Sequence, residues 1–110
     1  MPRVQKMLGQ VRPSNTNNTL LYSPEKGKTA VIKSLHVCNT TANTPTFRIF
    51  HDYSGGVADQ STALYYDVSL AASETMVFEF DIPISRGGQV FVRSSANDEI
   101  TFTAYGLENS

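Results

Sequence analysis

The sequence contains a single cysteine, Cys38, and no tryptophan. One cysteine cannot form an intramolecular disulfide, so packing must hold the fold, with or without the help of oligomerisation. No apolar run is long enough to span a bilayer. The opening stretch MPRVQKMLGQVR also lacks the apolar segment of a signal peptide. We therefore expect a soluble protein made in the cytoplasm, with no membrane partner.

An excess of charge of one sign is also absent. Nine lysines and arginines oppose ten acidic residues, for a formal net charge of −1. A chain with this balance has no overall field that attracts nucleic acid, so we expect no nucleic-acid partner. Its 110 residues suit one domain with a core of its own.

Short segments of period two dominate the rest of the chain. In MVFEF, for example, Met76, Phe78 and Phe80 share one face and alternate with Val77 and Glu79. Such runs, bounded by Gly, Pro, Asn and Ser, are typical of strands in an all-β protein. The predicted strands are Asn18–Ser23, Lys28–Asn39, Thr46–Tyr53, Ala63–Leu70, Glu74–Asp81, Gln89–Ser95 and Glu99–Leu107.

These strands and their short loops predict a single antiparallel β-sandwich or a small jelly-roll-like barrel of about seven to eight strands. One short helical turn is expected within VADQSTAL. We expect the alternating apolar faces to form the core. The core residues predicted in this way are Met76, Phe78, Phe80, Val90, Val92, Ile100 and Phe102.

Residues 1–17 differ from residues 18–110, which hold the predicted sandwich. They carry Arg3, Lys6 and Arg12 but no acidic residue, and end in the polar string PSNTNN. We interpret them as an extended arm and a link. We predict that residues 1–12 are dispensable for folding but needed for docking, and that they become ordered on an acidic partner or at a neighbouring sheet edge. The apolar residues of the arm that would then be buried are Val4, Met7, Leu8 and Val11.

His36 and Cys38 are the first candidates for chemistry, because alternate residues of a strand share a face. If NTTANT closes a hairpin, His51 lies too far along the next strand to share a metal ion with His36. Cysteine is usually a small buried residue, so we predict that Cys38 is structural, in the core or at an interface. We predict no metal site.

The other candidates are weaker. His51, Asp52 and Ser54 are close in sequence, but neighbours on a strand point to opposite faces and do not form a triad. The sequence has no G-x-S-x-G elbow and no Walker A string. Asp67 with Asp81, or Glu74 with Glu79, are the candidate acid–base pairs, but acidic residues near strand ends are usually solvated. We therefore expect neither an enzyme nor a cofactor.

Tyr65 and Tyr66 are adjacent, so one packs inward while the other faces solvent. An exposed tyrosine suits a protein interface and also stacks on sugars. An ordinary tyrosine on a sheet surface fits the pattern equally well.

From Leu20 to Glu108 the chain resembles small structural proteins encoded in the genomes of tailed bacteriophages, and a short likeness precedes this in the string LGQ. The turn Pro24–Gly27 is one residue longer than the Pro-Ala-Gly form expected of that family. The motifs that carry the resemblance are Leu21-Tyr22 before a Pro…Gly-Lys-Thr turn, Val37-Cys38-Asn39, Tyr65-Tyr66-Asp67 and the closing Phe102-x-Ala-Tyr-Gly-x-Glu108.

The resemblance implies a β-sandwich component of the virion. Our leading hypothesis is a capsid decoration or cement protein that binds the major capsid protein as a homo-oligomer, with a trimer favoured. The alternative is a tail or fibre component, for example a lectin-like module, that uses Tyr53, Tyr65 or Tyr66 on a receptor sugar. The residues predicted to contact a partner are Arg3, Lys6, Met7, Leu8, Arg12, Tyr65 and Tyr66.

Overall fold

The structure is a computed structural model that describes residues 3–52 and 58–109. Its described part contains eight strands and one short 3-10 turn, Gln60–Thr62, which lies where the sequence predicts a helical turn. The strands are β1 (Arg3–Val11), β2 (Thr19–Tyr22), β3 (Thr29–Asn39), β4 (Thr46–Asp52), β5 (Ala63–Ser69), β6 (Thr75–Ile84), β7 (Gln89–Ser94) and β8 (Ile100–Asn109).

The strands form two four-stranded sheets. Sheet A has the order β1-β8-β3-β6 and sheet B the order β2-β7-β4-β5, and every pairing is antiparallel. The apolar faces of the two sheets enclose one core, which confirms the predicted β-sandwich. β3 and β4 lie in different sheets, so the NTTANT segment is a crossover and not the turn of a hairpin.

Strict alternation places the core residues. In β3, Leu35 and Val37 are fully buried. His36 and Cys38, which alternate with them, are only partly buried. The described core residues are Leu21, Tyr22, Ala30, Ile32, Leu35, Val37, Phe47, Ile49, Leu70, Ile84, Val90, Val92, Ile100, Phe102 and Ala104. The core predicted on β7 and β8 is thus confirmed.

The predicted core face of β6 is also the inward face, but its burial is less complete than expected. Met76, Phe78 and Phe80 pack against the core and remain partly exposed. β6 is the last strand of sheet A, so a neighbouring strand covers it on one side only.

The N-terminal segment is not a separate arm in this structure, which corrects the sequence interpretation. Residues 3–11 form β1, the edge strand of sheet A, and pair with β8 from Arg3↔Asn109 to Val11↔Phe102. Leu8 and Val11 pack on the core. The period of two is hidden because a bulge between Met7 and Gly9 places Leu8 out of register.

Two local features hold β1 in place. A Cβ atom at Gly9 would lie 2.2 Å from the carbonyl oxygen of Leu21, so only glycine allows β1 to approach β2 this closely. At the other end of the strand, Lys6 lies 3.4 Å from the carboxylate of Glu108, which also accepts a 2.7 Å hydrogen bond from the hydroxyl of Tyr22.

This carboxylate and phenol affect each other's titration. The hydrogen bond from Tyr22, followed by the nearby lysines, lowers the pKa of Glu108. Burial, followed by the hydrogen bond to Glu108, raises the pKa of Tyr22. Lys28 lies 3.7 Å from the same carboxylate, so Glu108 joins β1 and β8 to the turn before β3.

The turn before β3, Pro24–Gly27, is one residue longer than the Pro-Ala-Gly form that the resemblance implies. Gly27 adopts φ +85°, a conformation that glycine tolerates, and the amide of Lys28 donates to the carbonyl of Glu25 at 2.9 Å. The extra residue is thus accommodated within a hydrogen-bonded turn.

Candidate interaction surfaces

The outward side chains of sheet A form a regular grid, which we call the A face. Cross-strand pairing aligns Met7 with Tyr105 and Ser34, and His36 with Thr103 and Val77. The A face consists of Gln5, Met7, Gln10, Val31, Ser34, His36, Cys38, Thr75, Val77, Glu79, Asp81, Pro83, Thr101, Thr103, Tyr105 and Leu107.

The A face carries little charge for a solvated sheet. Its ionised groups are Glu79, Asp81 and, at the bulge of β3, the exposed Lys33, which pairs with Asp81. Met7 and Val77 are about half exposed, at 48% and 50%. Uncovered apolar side chains combined with few charges are typical of the centre of a protein–protein interface.

Around Tyr105 the A face has a defined shape. The Tyr105 ring is 42% exposed and meets the imidazole of His36 edge to face, with ring centroids 5.3 Å apart. Beside it lies a depression of about 410 Å³ whose lining includes Met7, Ser34 and the two lysines Lys6 and Lys33. The face therefore offers a pocket as well as flat surface.

Cys38 lies on the A face and is partly exposed. The prediction that it is a core residue is therefore wrong, because it alternates outward from the buried Val37. Its other predicted location, an interface, stays a prediction.

The outward side of sheet B is built differently. We call Leu20, Arg48, Phe50, Tyr66, Asp67, Phe91 and Arg93 the B face. Phe50 points away from the main core yet is only 2% exposed, and it meets Tyr66 edge to face with centroids 6.5 Å apart. The Arg48 guanidinium lies 3.9 Å from the centroid of the Tyr66 ring.

A bulge in β5 creates this arrangement. Phe47 pairs with Val68 and Ile49 with Tyr65, so both Tyr66 and Asp67 lie opposite Arg48. Arg48 contacts both of them and donates two hydrogen bonds to the Asp67 carboxylate, at 2.6 and 3.2 Å. The hydrogen bonds from Arg48 lower the pKa of Asp67, and Asp67 in turn raises the pKa of Arg48.

The residues predicted to contact a partner from the N-terminal segment are placed as follows. Leu8 packs against the core and Lys6 pairs with Glu108. Arg12 donates to the carbonyl of Asp98 and, at 3.2 Å, to the hydroxyl of Thr40. Met7 is exposed on the A face, and the side chain of Arg3 lies outside the described part of the chain.

The tyrosines divide as predicted. Tyr65 points inward, with its ring 4.3 Å from that of Phe78, so it is not available on the surface to a sugar. Tyr66 is 40% exposed on the B face. Tyr53 and Ser54, the remaining residues of the sugar and triad hypotheses, lie outside the described residues.

Sequence reasoning missed Arg48 and Arg93, which are direct cross-strand partners on the B face. Each lies at an outward position of a predicted strand, and an arginine there looks like an ordinary solvated residue. Only the pairing of β4 with β7 brings them together. In β5 the alternation of inward and outward residues is interrupted at Tyr66-Asp67, and this interruption was the sequence signal for the bulge.

Within residues 3–52 and 58–109, no three His, Cys, Asp or Glu side chains are grouped closely enough to hold a metal ion. A helix of the length and apolarity needed to cross a membrane is likewise not found among these residues. Comparison of the chain with protein-family models, curated proteins and solved structures gave no match.

Proposed function

We propose that the protein is a structural component of a tailed-bacteriophage virion that decorates the capsid. In this role it binds the major capsid protein as a homo-oligomer, with a trimer favoured, and has no enzymatic activity. Two considerations support the proposal: the resemblance of residues 20–108 to phage structural proteins, and the character of the A face.

The single observation that carries the proposal is the exposed apolar surface of the A face. Met7, Val77 and Tyr105 lie on three different strands of one sheet and are each 42–50% exposed. Covering them removes apolar area from water at a gain of roughly 25 cal/mol per Å². Because the face carries few charges, a partner needs to desolvate few ions to bind there.

In the proposed oligomer, the two edges of sheet A contact each other between neighbouring copies. One edge is β1 and the other is β6, so a contact between them is head-to-tail and not self-complementary. Head-to-tail contacts that close by rotation form rings. A trimer is the smallest ring with this kind of contact.

The second candidate function is a tail or fibre component that binds a receptor sugar. The observation that favours it is the B face, where Tyr66 is held rigidly between Phe50 and Arg48 beside an exposed carboxylate. Fixed aromatic rings and paired polar groups suit the binding of a small polar ligand.

Copy number per virion separates the two. Quantitative mass spectrometry of purified virions of the encoding phage, with the major capsid protein as internal standard, measures it directly. Decoration predicts a number comparable to that of the capsid subunits, whereas a tail component is present in only a few copies. A ratio far below that of the capsid subunits would refute the capsid proposal.

A further inference from the structure

The B face contains an open cleft of about 480 Å³ between β4, β5 and β7. The side chains that matter for its chemistry are those of Thr16, Thr46, Arg48, Asp67, Arg93 and Ser95. A volume of this size is in the usual range of small-molecule sites.

One side of the cleft is shaped by the bulge in β5. Asp67 adopts φ +54° there, a left-handed conformation that aspartate adopts more readily than most non-glycine residues. The bulge places the Asp67 carboxylate opposite Arg48, from which it accepts hydrogen bonds. Bulges often re-aim a side chain in this way next to a binding site.

Arg48 is paired with the Asp67 carboxylate, whereas Arg93 has no such carboxylate partner among the described residues. It lies directly opposite Arg48, and like charges at such positions repel each other. Asp67 makes both of its hydrogen bonds to Arg48. Within the described ranges Arg93 donates no hydrogen bond and forms no ion pair closer than 4 Å, although its charge also contributes to the lowered pKa of Asp67. The two arginines and one aspartate leave one guanidinium charge available for an anion.

The remaining lining supplies hydroxyl groups. The Ser95 Oγ accepts a 2.9 Å hydrogen bond from the Thr46 amide, so its own proton is directed elsewhere. The hydroxyls of Thr16 and Thr46 line the same cleft. Each oxygen of Asp67 retains a free lone pair that can accept from a ligand hydroxyl.

We infer that this cleft binds a carboxylated sugar, such as a uronic acid unit of an acidic polysaccharide. Arg93 pairs with the sugar carboxylate, for which the flat guanidinium is the matching donor. Asp67 and the hydroxyls of Thr46 and Ser95 bind the ring hydroxyls. The concave shape and the mixture of donors and acceptors favour a sugar over an acidic peptide, which offers carboxylates but no ring hydroxyls.

The test is a titration of the full-length ¹⁵N-labelled protein with glucuronic acid, followed by NMR. Glucose is the matched ligand without the carboxylate, and a short glutamate peptide is the matched carboxylate without the ring. We expect glucuronic acid to shift the amides of residues 46–48, 66–67 and 93–95 at concentrations at least about tenfold lower than either control ligand.

The variant Arg93→Gln is expected to weaken glucuronic acid binding by about tenfold or more. Arg86→Gln removes the same charge from an exposed turn and serves as the control, with binding unchanged. The spectrum of each variant before titration reports whether it is folded. Ser95→Ala removes a hydroxyl group but no charge. We expect this variant, too, to bind glucuronic acid more weakly than the native protein.

Equal responses to glucose and glucuronic acid, or unchanged binding by a folded Arg93→Gln variant, would overturn the inference. A glutamate peptide that binds more tightly than the sugar would overturn it as well and assign the cleft to a protein partner. The inference does not depend on the position of the protein in the virion, so its failure leaves the copy-number test unaffected.

Discussion

The two outward faces of the sandwich differ in how far their apolar side chains are covered. Both sheets place apolar side chains on their outer sides. On sheet B, Phe50 is covered by Tyr66, and Arg48 lies over Tyr66 in turn. On sheet A, Met7 and Val77 remain about half exposed.

The two faces differ in whether a second layer of side chains covers the sheet. The B face has a second small layer over Phe50, capped by the Arg48–Asp67 pair, although Leu20 and Leu64 in sheet B remain 46% and 45% exposed. The A face has no such layer among the described residues. In the proposed function, the A face contacts other virion proteins and the B face is the candidate ligand site.

The largest expected effect comes from removing β1, which is one edge of sheet A and no part of sheet B. A chain that begins at Pro13 loses the packing of Leu8 and Val11 and exposes the edge of β8. We expect a loss on the order of 5 kcal/mol, comparable to the whole stability of a small domain. Urea unfolding followed by circular dichroism measures it.

A point variant tests the same strand without shortening the chain. Gly9→Ala forces a Cβ atom against the Leu21 carbonyl, and we expect clear destabilisation. Gln5→Ala, at an exposed position of the same strand, is the control. A truncated chain as stable as the full-length protein would restore the interpretation of residues 1–12 as an arm that is dispensable for folding.

The next effect distinguishes the two faces directly. Phe50→Ala on the B face should destabilise the protein by about 3–5 kcal/mol, because the side chain is fully covered. Val77→Ala on the A face should change stability by no more than about 0.5 kcal/mol, because the side chain is half exposed. Equal losses of unfolding free energy in urea would mean that the faces do not differ as described.

Much of this fold was predictable from the sequence, for a physical reason. Strands such as β7 alternate cleanly, and alternation reports which face is buried. β1 was missed because the bulge at Met7–Gly9 breaks its alternation and its partner β8 lies at the far end of the chain. The B face was missed for a related reason, since register brings together Arg48 and Arg93 from strands far apart in the sequence.

A smaller effect concerns pH, through the carboxylate that anchors β1. Glu108 has a pKa below its ordinary value of 4.5, so its charge stabilises the fold above that pH, and the contribution is lost as pH falls through the folded pKa. Tyr22 has a pKa raised above its ordinary value of 10.0, so the unfolded state ionises first and stability falls as pH rises past 10.0.

Glu108→Gln should therefore lower the melting temperature at pH 7 and reduce its decrease between pH 5 and 3 relative to the native protein. Glu79→Gln, which neutralises a carboxylate on the A face, is the control and should leave this acid dependence nearly unchanged. If the melting temperature of Glu108→Gln decreases between pH 5 and 3 as steeply as that of the native protein, Glu108 does not anchor β1.

The smallest effect is expected at Cys38. Cys38→Ser replaces a partly exposed side chain on the A face with one of similar size, so we expect a change of less than about 0.5 kcal/mol in unfolding free energy. Thermal melts under reducing conditions check it. A loss of several kcal/mol would show that Cys38 is part of a packed core.

The central claim is that the A face binds the capsid, and matched surface variants test it most directly. Val77→Glu places a charge on the A face, and Leu64→Glu places one at a similarly exposed apolar position in sheet B, since the two residues are 50% and 45% exposed. Each variant is added to virions that lack the protein, and bound protein is measured after sedimentation. We predict that Leu64→Glu decorates virions to full occupancy and that Val77→Glu, although folded, does not. Full occupancy by both variants, or loss of binding only in Leu64→Glu, would contradict the account.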